Sequence, residues 1–145
     1  AHKGVGKTAL ACQILKRLKG FGAIKTTVSK ENISVTSKNE ATGVPGKDTA
    51  LLKGAGAEKV VLVSSPRKDL DWALKVALGM VSECKGVIIE GTSVLDYIKP
   101  DVAILIKAKG KRMKESAKRA LKKVDLVISS DEFDEAVRFV KEKMK

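Results

Sequence analysis

Short runs of aliphatic and β-branched residues alternate with segments of helical periodicity along almost the whole chain, and that alternation restricts it to an α/β architecture. A first helix is predicted from Lys7 to Leu18, where Leu10, Ile14, Leu15 and Leu18 share one face before Gly20 and Gly22 end it. A strand over Ala23 to Val28 follows. Residues 29–47 then turn polar, with only Ile33 and Val35 indicating a short extended piece, and make the best candidate for a functional loop. Asp48 to Ala57 reads as a short helix closed by Gly54 or Gly56. Val60-Val61-Leu62-Val63 is apolar at every position, which predicts a strand covered on both faces.

Ser65-Pro66 predicts a helix start, with serine capping the free amides and proline in the first turn. Leu70, Ala73, Leu74, Ala77, Leu78 and Val81 continue that helix as an apolar stripe. Three more strands are expected at Val87-Ile88-Ile89, Val102 to Ile106 and Leu126-Val127-Ile128. A helix from Lys111 to Lys123 separates the last two, and a final helix carries Phe133, Ala136, Val137, Val140 and Met144. Right-handed crossovers then place helices on both faces of a mostly parallel sheet, in one domain spanning residues 1–145.

Composition agrees with this core. Hydrophobic residues are 43% of the chain and aromatics only 3%, so Val, Ile, Leu and Ala must fill the interior. No run approaches the ~18 apolar residues of a membrane span, and no signal-peptide shape opens the sequence, so a cytoplasmic protein is expected. Cys12 and Cys84 lie inside helical patterns and read as reduced core thiols. His2 is the single histidine, so any metal must be held by oxygen. The formal charge of +12 favours an anionic partner. Trp72, Tyr97 and the phenylalanines are not interleaved with the basic residues, which argues against a single-strand nucleic-acid module.

The chemistry concentrates in the opening string "AHKGVGKTAL", which has the spacing of a phosphate-binding loop, with Ala1 where glycine is commoner and Gly6-Lys7-Thr8 closing it. Gly4 and Gly6 let backbone amides converge on phosphate oxygens, and the following helix adds its positive N-terminal end. The predicted cradle is Lys3, Gly4, Val5, Gly6, Lys7, Thr8 and Ala9. Lys7 is the candidate catalytic residue, reaching the β- and γ-phosphates, and the Thr8 hydroxyl is a candidate Mg²⁺ ligand. Such a loop follows a strand, so a P-loop nucleoside triphosphate hydrolase fold is expected whose first strand lies upstream of Ala1. Thr8 alone cannot hold magnesium. Glu90, at the end of Val87-Ile88-Ile89, and Asp48, in "PGKDT", are the candidate carboxylate ligands. The alternative for Glu90 is a solvated strand end, and for Asp48 a helix N-cap.

Four segments resemble the molybdopterin-guanine dinucleotide biosynthesis protein B (MobB) family of small P-loop GTP-binding proteins. They are the loop itself, "GAIK" ending at Lys25, "PGKDTALLKGAGAEKVVLVSSPR" and "VIIEGTSVLDYIKPDVAILI". The resemblance implies Gly4, Gly6, Lys7 and Thr8 on phosphate and magnesium, with Asp48 and Glu90 completing the metal environment. It further implies a homodimeric GTP-binding accessory protein of molybdenum cofactor biosynthesis, a weak GTPase with slow Mg²⁺-dependent hydrolysis, acting beside a nucleotidyltransferase. Two departures stand out. "TTVS" after Lys25 replaces a His- and Asp-rich stretch, and no Asn-Lys-x-Asp motif follows Val102 to Ile106, so GTP rather than ATP rests on the resemblance. Ser129-Ser130-Asp131 is a candidate for base or ribose contact, or else for capping the final helix.

Two other function classes fit parts of the sequence. A P-loop kinase or ATP-dependent ligase would use the same loop to transfer a phosphoryl group to a metabolite. A nucleic-acid module would use the basic residues of "KGKRMKESAKRALKK", although Met113, Ala117, Ala120 and Leu121 supply an inward stripe that leaves those charges on a solvated face.

Overall fold

The computed structural model describes residues 6–37, 47–107 and 112–144, with Lys47 described through its backbone. The helices are α1 (Lys7–Leu15), α2 (Lys47–Gly54), α3 (Leu70–Met80), α4 (Glu115–Ala120) and α5 (Phe133–Lys143). The strands are β1 (Phe21–Val28), β2 (Ser34–Thr36), β3 (Val60–Ser65), β4 (Gly86–Glu90), β5 (Ile104–Ile106) and β6 (Leu126–Ile128). Four of them form one sheet in the order β2-β3-β1-β4, and β5 and β6 pair separately. All pairings are parallel except β2 against β3. The expected α/β architecture, a mostly parallel sheet flanked by helices, is therefore present. Among the described residues no helix is long and apolar enough to cross a membrane.

Period-two alternation explains why helices cover both sheet faces. Ile24 and Val61 point to one side and pack with Leu70, Ala73, Leu74 and Ala77 of α3. Their neighbours Ala23 and Val60 point to the other side and meet Ala11 and Leu15 of α1 and Leu52 of α2. The opposite stripe of α1, Leu10 and Ile14, joins Ile106 and Ile128 to Ala136, Val137 and Val140 of α5. α1 is thus shared by two apolar clusters, and its head is fixed from both sides. Cys12 and Cys84 are free thiols packed against these clusters, as expected.

Several boundaries differ from the sequence expectation, each for a local reason. α1 stops at Leu15 because the next turn tightens, with the amides of Arg17 and Leu18 both reaching the Ile14 carbonyl. Ser65 does not cap a helix. Its carbonyl accepts the Ser29 amide as a continuation of the β1–β3 ladder, and its hydroxyl donates to the Pro66 carbonyl at 2.9 Å. The chain then makes a 3₁₀ turn, Arg67–Asp69, before α3 begins. The helix expected from Lys111 to Lys123 is only α4, since Lys114 is extended, and Lys111 lies outside the described residues. Its inward face also differs. Ser116 is buried and shares a 2.8 Å hydrogen bond with the Thr92 hydroxyl, whereas Leu121 is exposed.

The face assignment of α3 can be tested by urea unfolding. Leu74→Ala, at a fully buried position, should cost ~2–5 kcal/mol through lost transfer energy and a residual cavity. Trp72→Ala, on the outer side of the same helix at 59% exposure, should change stability by about 0.5 kcal/mol or less. Equal losses at the two positions would show the helix to be rotated.

Candidate functional site

The head of α1 is shaped by Gly6. Its φ of 94° is in the left-handed region, and a Cβ there would come within 2.8 Å of the Phe133 ring. Glycine is required on both counts. The Gly6 carbonyl accepts the Leu10 amide at 2.9 Å, so the helix is wound from Lys7 onward, and the amides of its first turn have no partner within the helix.

Facing this turn is the carboxyl end of β4. Glu90 is only 7% exposed, which removes the reading of a solvated strand-end charge. The Thr8 hydroxyl donates to its carboxylate, at 3.0 Å from one oxygen and 3.3 Å from the other. The backbone of Glu90 is held as well. The Thr26 hydroxyl donates to its carbonyl at 2.7 Å, and Gly91 turns away at a φ of 143°. A Cβ at Gly91 would fall 1.9 Å from that hydroxyl, so only glycine lets the chain leave β4 this close to Thr26 of β1.

Lys25 is level with Glu90 in the β1–β4 ladder, and its ammonium pairs with the Asp48 carboxylate in the first turn of α2. The first turn of α1 therefore meets the end of β4, with the first turn of α2 tied to the adjacent residue of β1. Burial pushes the Lys7 ammonium below the ordinary lysine range; Glu90 opposes that shift, while Lys114 and Lys25 add to it. Burial also raises the Cys12 thiol, with the Glu90 charge acting in the same direction, so this cysteine is a poor nucleophile.

Of the residues singled out from sequence, Gly6, Lys7, Thr8 and Glu90 are brought together. Ala9 is exposed on the first turn. Asp48 is one step removed, tied to Lys25. Lys3, Gly4 and Val5 lie outside the described residues. Ser129 is engaged locally, its amide and hydroxyl both donating to Glu132 at 2.8 Å, and no side chain caps the first turn of α5. Sequence reasoning passed over Thr26, Phe133 and Lys114. A hydroxyl at the end of a strand parallel to the one bearing Glu90 was the available signal for Thr26, but only once the register is known. Phe133 and Lys114 approach from distant parts of the chain and carry no local signal.

The donor set suits a hard cation. A hydroxyl that gives its proton to Glu90 keeps lone pairs for a metal, and the carboxylate supplies further oxygens. Among the described residues no group of three or more His, Cys, Asp or Glu side chains converges as a metal cage. A cation here would take its remaining ligands from phosphate oxygens and water, which is how Mg²⁺ is usually held. Searches against protein-family models, curated proteins and solved structures gave no match to this chain.

The opposing influences on Lys7 give a pH prediction. Its folded pKa lies below its unfolded one, so the unfolded chain binds more protons between the two, and stability rises with pH through that interval. Lys7→Met should remove this rise in pH-dependent denaturation. Glu90→Gln should lower the Lys7 pKa further, read by NMR titration of the lysine side chain; an unmoved titration would mean that Glu90 does not act on Lys7.

Proposed function

We propose that this protein binds a purine nucleoside triphosphate with Mg²⁺ at the head of α1, in the manner of a P-loop nucleoside triphosphate hydrolase. The observation that carries the reading is the Thr8–Glu90 hydrogen bond beside a partly desolvated Lys7. It joins the hydroxyl, the carboxylate and the ammonium that phosphate and magnesium require, at the carboxyl end of a parallel strand where α/β sheets bind ligands. Glycine at position 6, forced by its φ and by Phe133, supports the tight loop-to-helix entry that such sites use.

In this reading Thr8 and Glu90 hold the cation, Glu90 directly or through water, and Lys7 lies against the β- and γ-phosphate oxygens. Magnesium supplies charge neutralisation when bound. A water then attacks the γ-phosphorus, the bond to the β–γ bridging oxygen breaks, and that oxygen leaves as the diphosphate with its charge offset by Lys7. The water's proton passes to a phosphate oxygen. Glu90 is followed by Gly91-Thr92-Ser93 and no glutamine, and Arg119 is committed to Asp96 at 3.0 Å, so neither is available to orient water or stabilise the developing charge. Slow hydrolysis follows.

The resemblance to the molybdopterin-guanine dinucleotide biosynthesis protein B family supports the finer assignment. On it we infer a cytoplasmic, homodimeric GTP-binding accessory protein of molybdenum cofactor biosynthesis with a nucleotidyltransferase partner. The nucleic-acid alternative loses part of its basis, because two residues of the basic cluster serve the fold. Arg119 and Lys123 both pair with Asp96, and Lys123 also donates to the Leu95 carbonyl at 3.1 Å.

A thermal-shift panel of GTP, ATP, GDP and ADP, with and without Mg²⁺, tests this directly. A triphosphate with Mg²⁺ at a hundredfold excess over its dissociation constant should stabilise the native state by about 2.7 kcal/mol, and GTP should do so more than ATP. Lys7→Ala should abolish the shift while leaving the ligand-free melting curve near that of the parent. Retained triphosphate affinity in that variant, measured by calorimetry, would refute the role given to Lys7.

A further inference from the structure

The first turn of α2 holds a polar group with nothing to bind. Thr49 is 5% exposed, and its hydroxyl has no hydrogen-bond partner among the described residues. Burying a hydroxyl unpaired is unfavourable, and a valine would fill the same space without that penalty. Its place in the fold is specific. Thr49 stands three residues before the fully buried Leu52, so both lie on the helix face that packs against Ala23 and Val60. α2 begins beside Lys25, two residues beyond Ala23 toward the carboxyl end of β1. Helical side chains lean toward the N-terminus of their helix, so Thr49 leans into the corner between the head of α2 and that half of β1.

The Lys25–Asp48 pair frames the same corner, with the two side chains 29% and 37% exposed. Their charges cancel. What remains is hydrogen bonding without net charge: a carboxylate that accepts, and a hydroxyl that accepts or donates. A carboxylate or phosphate group entering here would meet the Asp48 charge with Lys25 already engaged, whereas a neutral hydroxyl satisfies both partners. The corner also adjoins the head of α1, because Lys25 is level with Glu90 in the β1–β4 ladder and Glu90 holds Thr8.

We propose that this corner seats a hydroxyl group of a small neutral molecule, and that the protein transfers the γ-phosphoryl group of its bound nucleotide to that hydroxyl. The proposal rests on the nucleotide-binding reading above and names the second substrate of the same site. The incoming hydroxyl donates to Asp48 and pairs with the Thr49 hydroxyl. Its proton passes to the Asp48 carboxylate as its oxygen bonds to the γ-phosphorus; the bond from phosphorus to the β–γ bridging oxygen breaks, and the nucleoside diphosphate leaves. Slow hydrolysis is then the reaction that remains when water occupies the corner instead.

Glycerol at molar concentration is the probe, since a small alcohol competes with water for such a seat. The protein is incubated with GTP and Mg²⁺, and phosphorus NMR resolves orthophosphate from glycerol phosphate. Glycerol phosphate should exceed the mole share of glycerol by about tenfold or more, less than the ~10²–10⁴ a positioned base gives with its own substrate. Thr49→Val and Asp48→Asn should return the ratio to the mole share, and Thr49→Ser should restore most of it. The ratio is read within each sample, so it does not depend on how much of a variant is folded. Without ligand, Thr49→Val should melt about 2–4 °C higher than the parent, because an unpaired buried hydroxyl has gone. A lower melting point would show that the hydroxyl already serves the fold, and would overturn the proposal. So would an unchanged product ratio in both variants. No glycerol phosphate from a protein whose melting point rises with GTP and Mg²⁺ overturns the acceptor seat and leaves nucleotide binding standing. Absence of both the thermal shift and any turnover overturns the two together.

Discussion

A carboxylate withdrawn from water is the constraint around which this molecule is arranged. Leaving Glu90 buried without partners would cost several kcal/mol, so the surrounding chain must bring it donors and positive charge. It does so from the first turn of α1. Thr8 comes from the first turn of α1, and Lys7 beside it contributes the nearby charge. Thr26 holds the carbonyl of the same residue from β1. Each contact is long-range in sequence, and together they clamp the head of α1 and the side of β1 onto the end of β4.

Parallel pairing is what makes the clamp possible. In an antiparallel sheet, neighbouring strands end at opposite edges, and the residues after β1 and β4 would lie apart. Here Lys25 and Glu90 stand side by side, so β1 delivers a cation toward Asp48 and the end of β4 delivers the carboxylate toward Thr8. The two faces of the sheet are filled by different helices, with α3 on one and α1 and α2 on the other. α1 is therefore held by packing along its length, and its first turn is free for chemistry.

How much of this was legible in the sequence depends on the range of the interaction concerned. The α3 stripe from Leu70 to Ala77 was readable because burial on one face imposes a 3.6-residue period. Gly6, Lys7 and Thr8 were readable as a local motif, and Glu90 followed from strand-end logic alone. Ser65 was misread because Ser-Pro signals a helix start locally, whereas the β1–β3 ladder extends through Ser65 and overrides it. α4 was misread for a similar reason. A hydrophobic period favoured Leu121 inside, yet the Thr92–Ser116 hydrogen bond places a serine there instead. The Lys25–Asp48 pair and the Phe133 ring over Gly6 join segments that only the tertiary fold brings near, and no window on the sequence contains them.

The state of Lys7 links this architecture to its chemistry. A lysine pushed down by burial and by two neighbouring cations is a charge held at a disadvantage, supported chiefly by Glu90. In the proposed nucleotide-binding reading, an anion arriving at the helix head would reverse that balance, supplying the missing countercharge and leaving Lys7 more stably protonated than before. Glu90 would then be released from its role as the main support for Lys7 and could turn its charge toward a divalent cation carried in with the phosphates. Binding of anion and cation would thereby be coupled through one carboxylate. By the reciprocity of such coupling, each strengthens the other by the same factor.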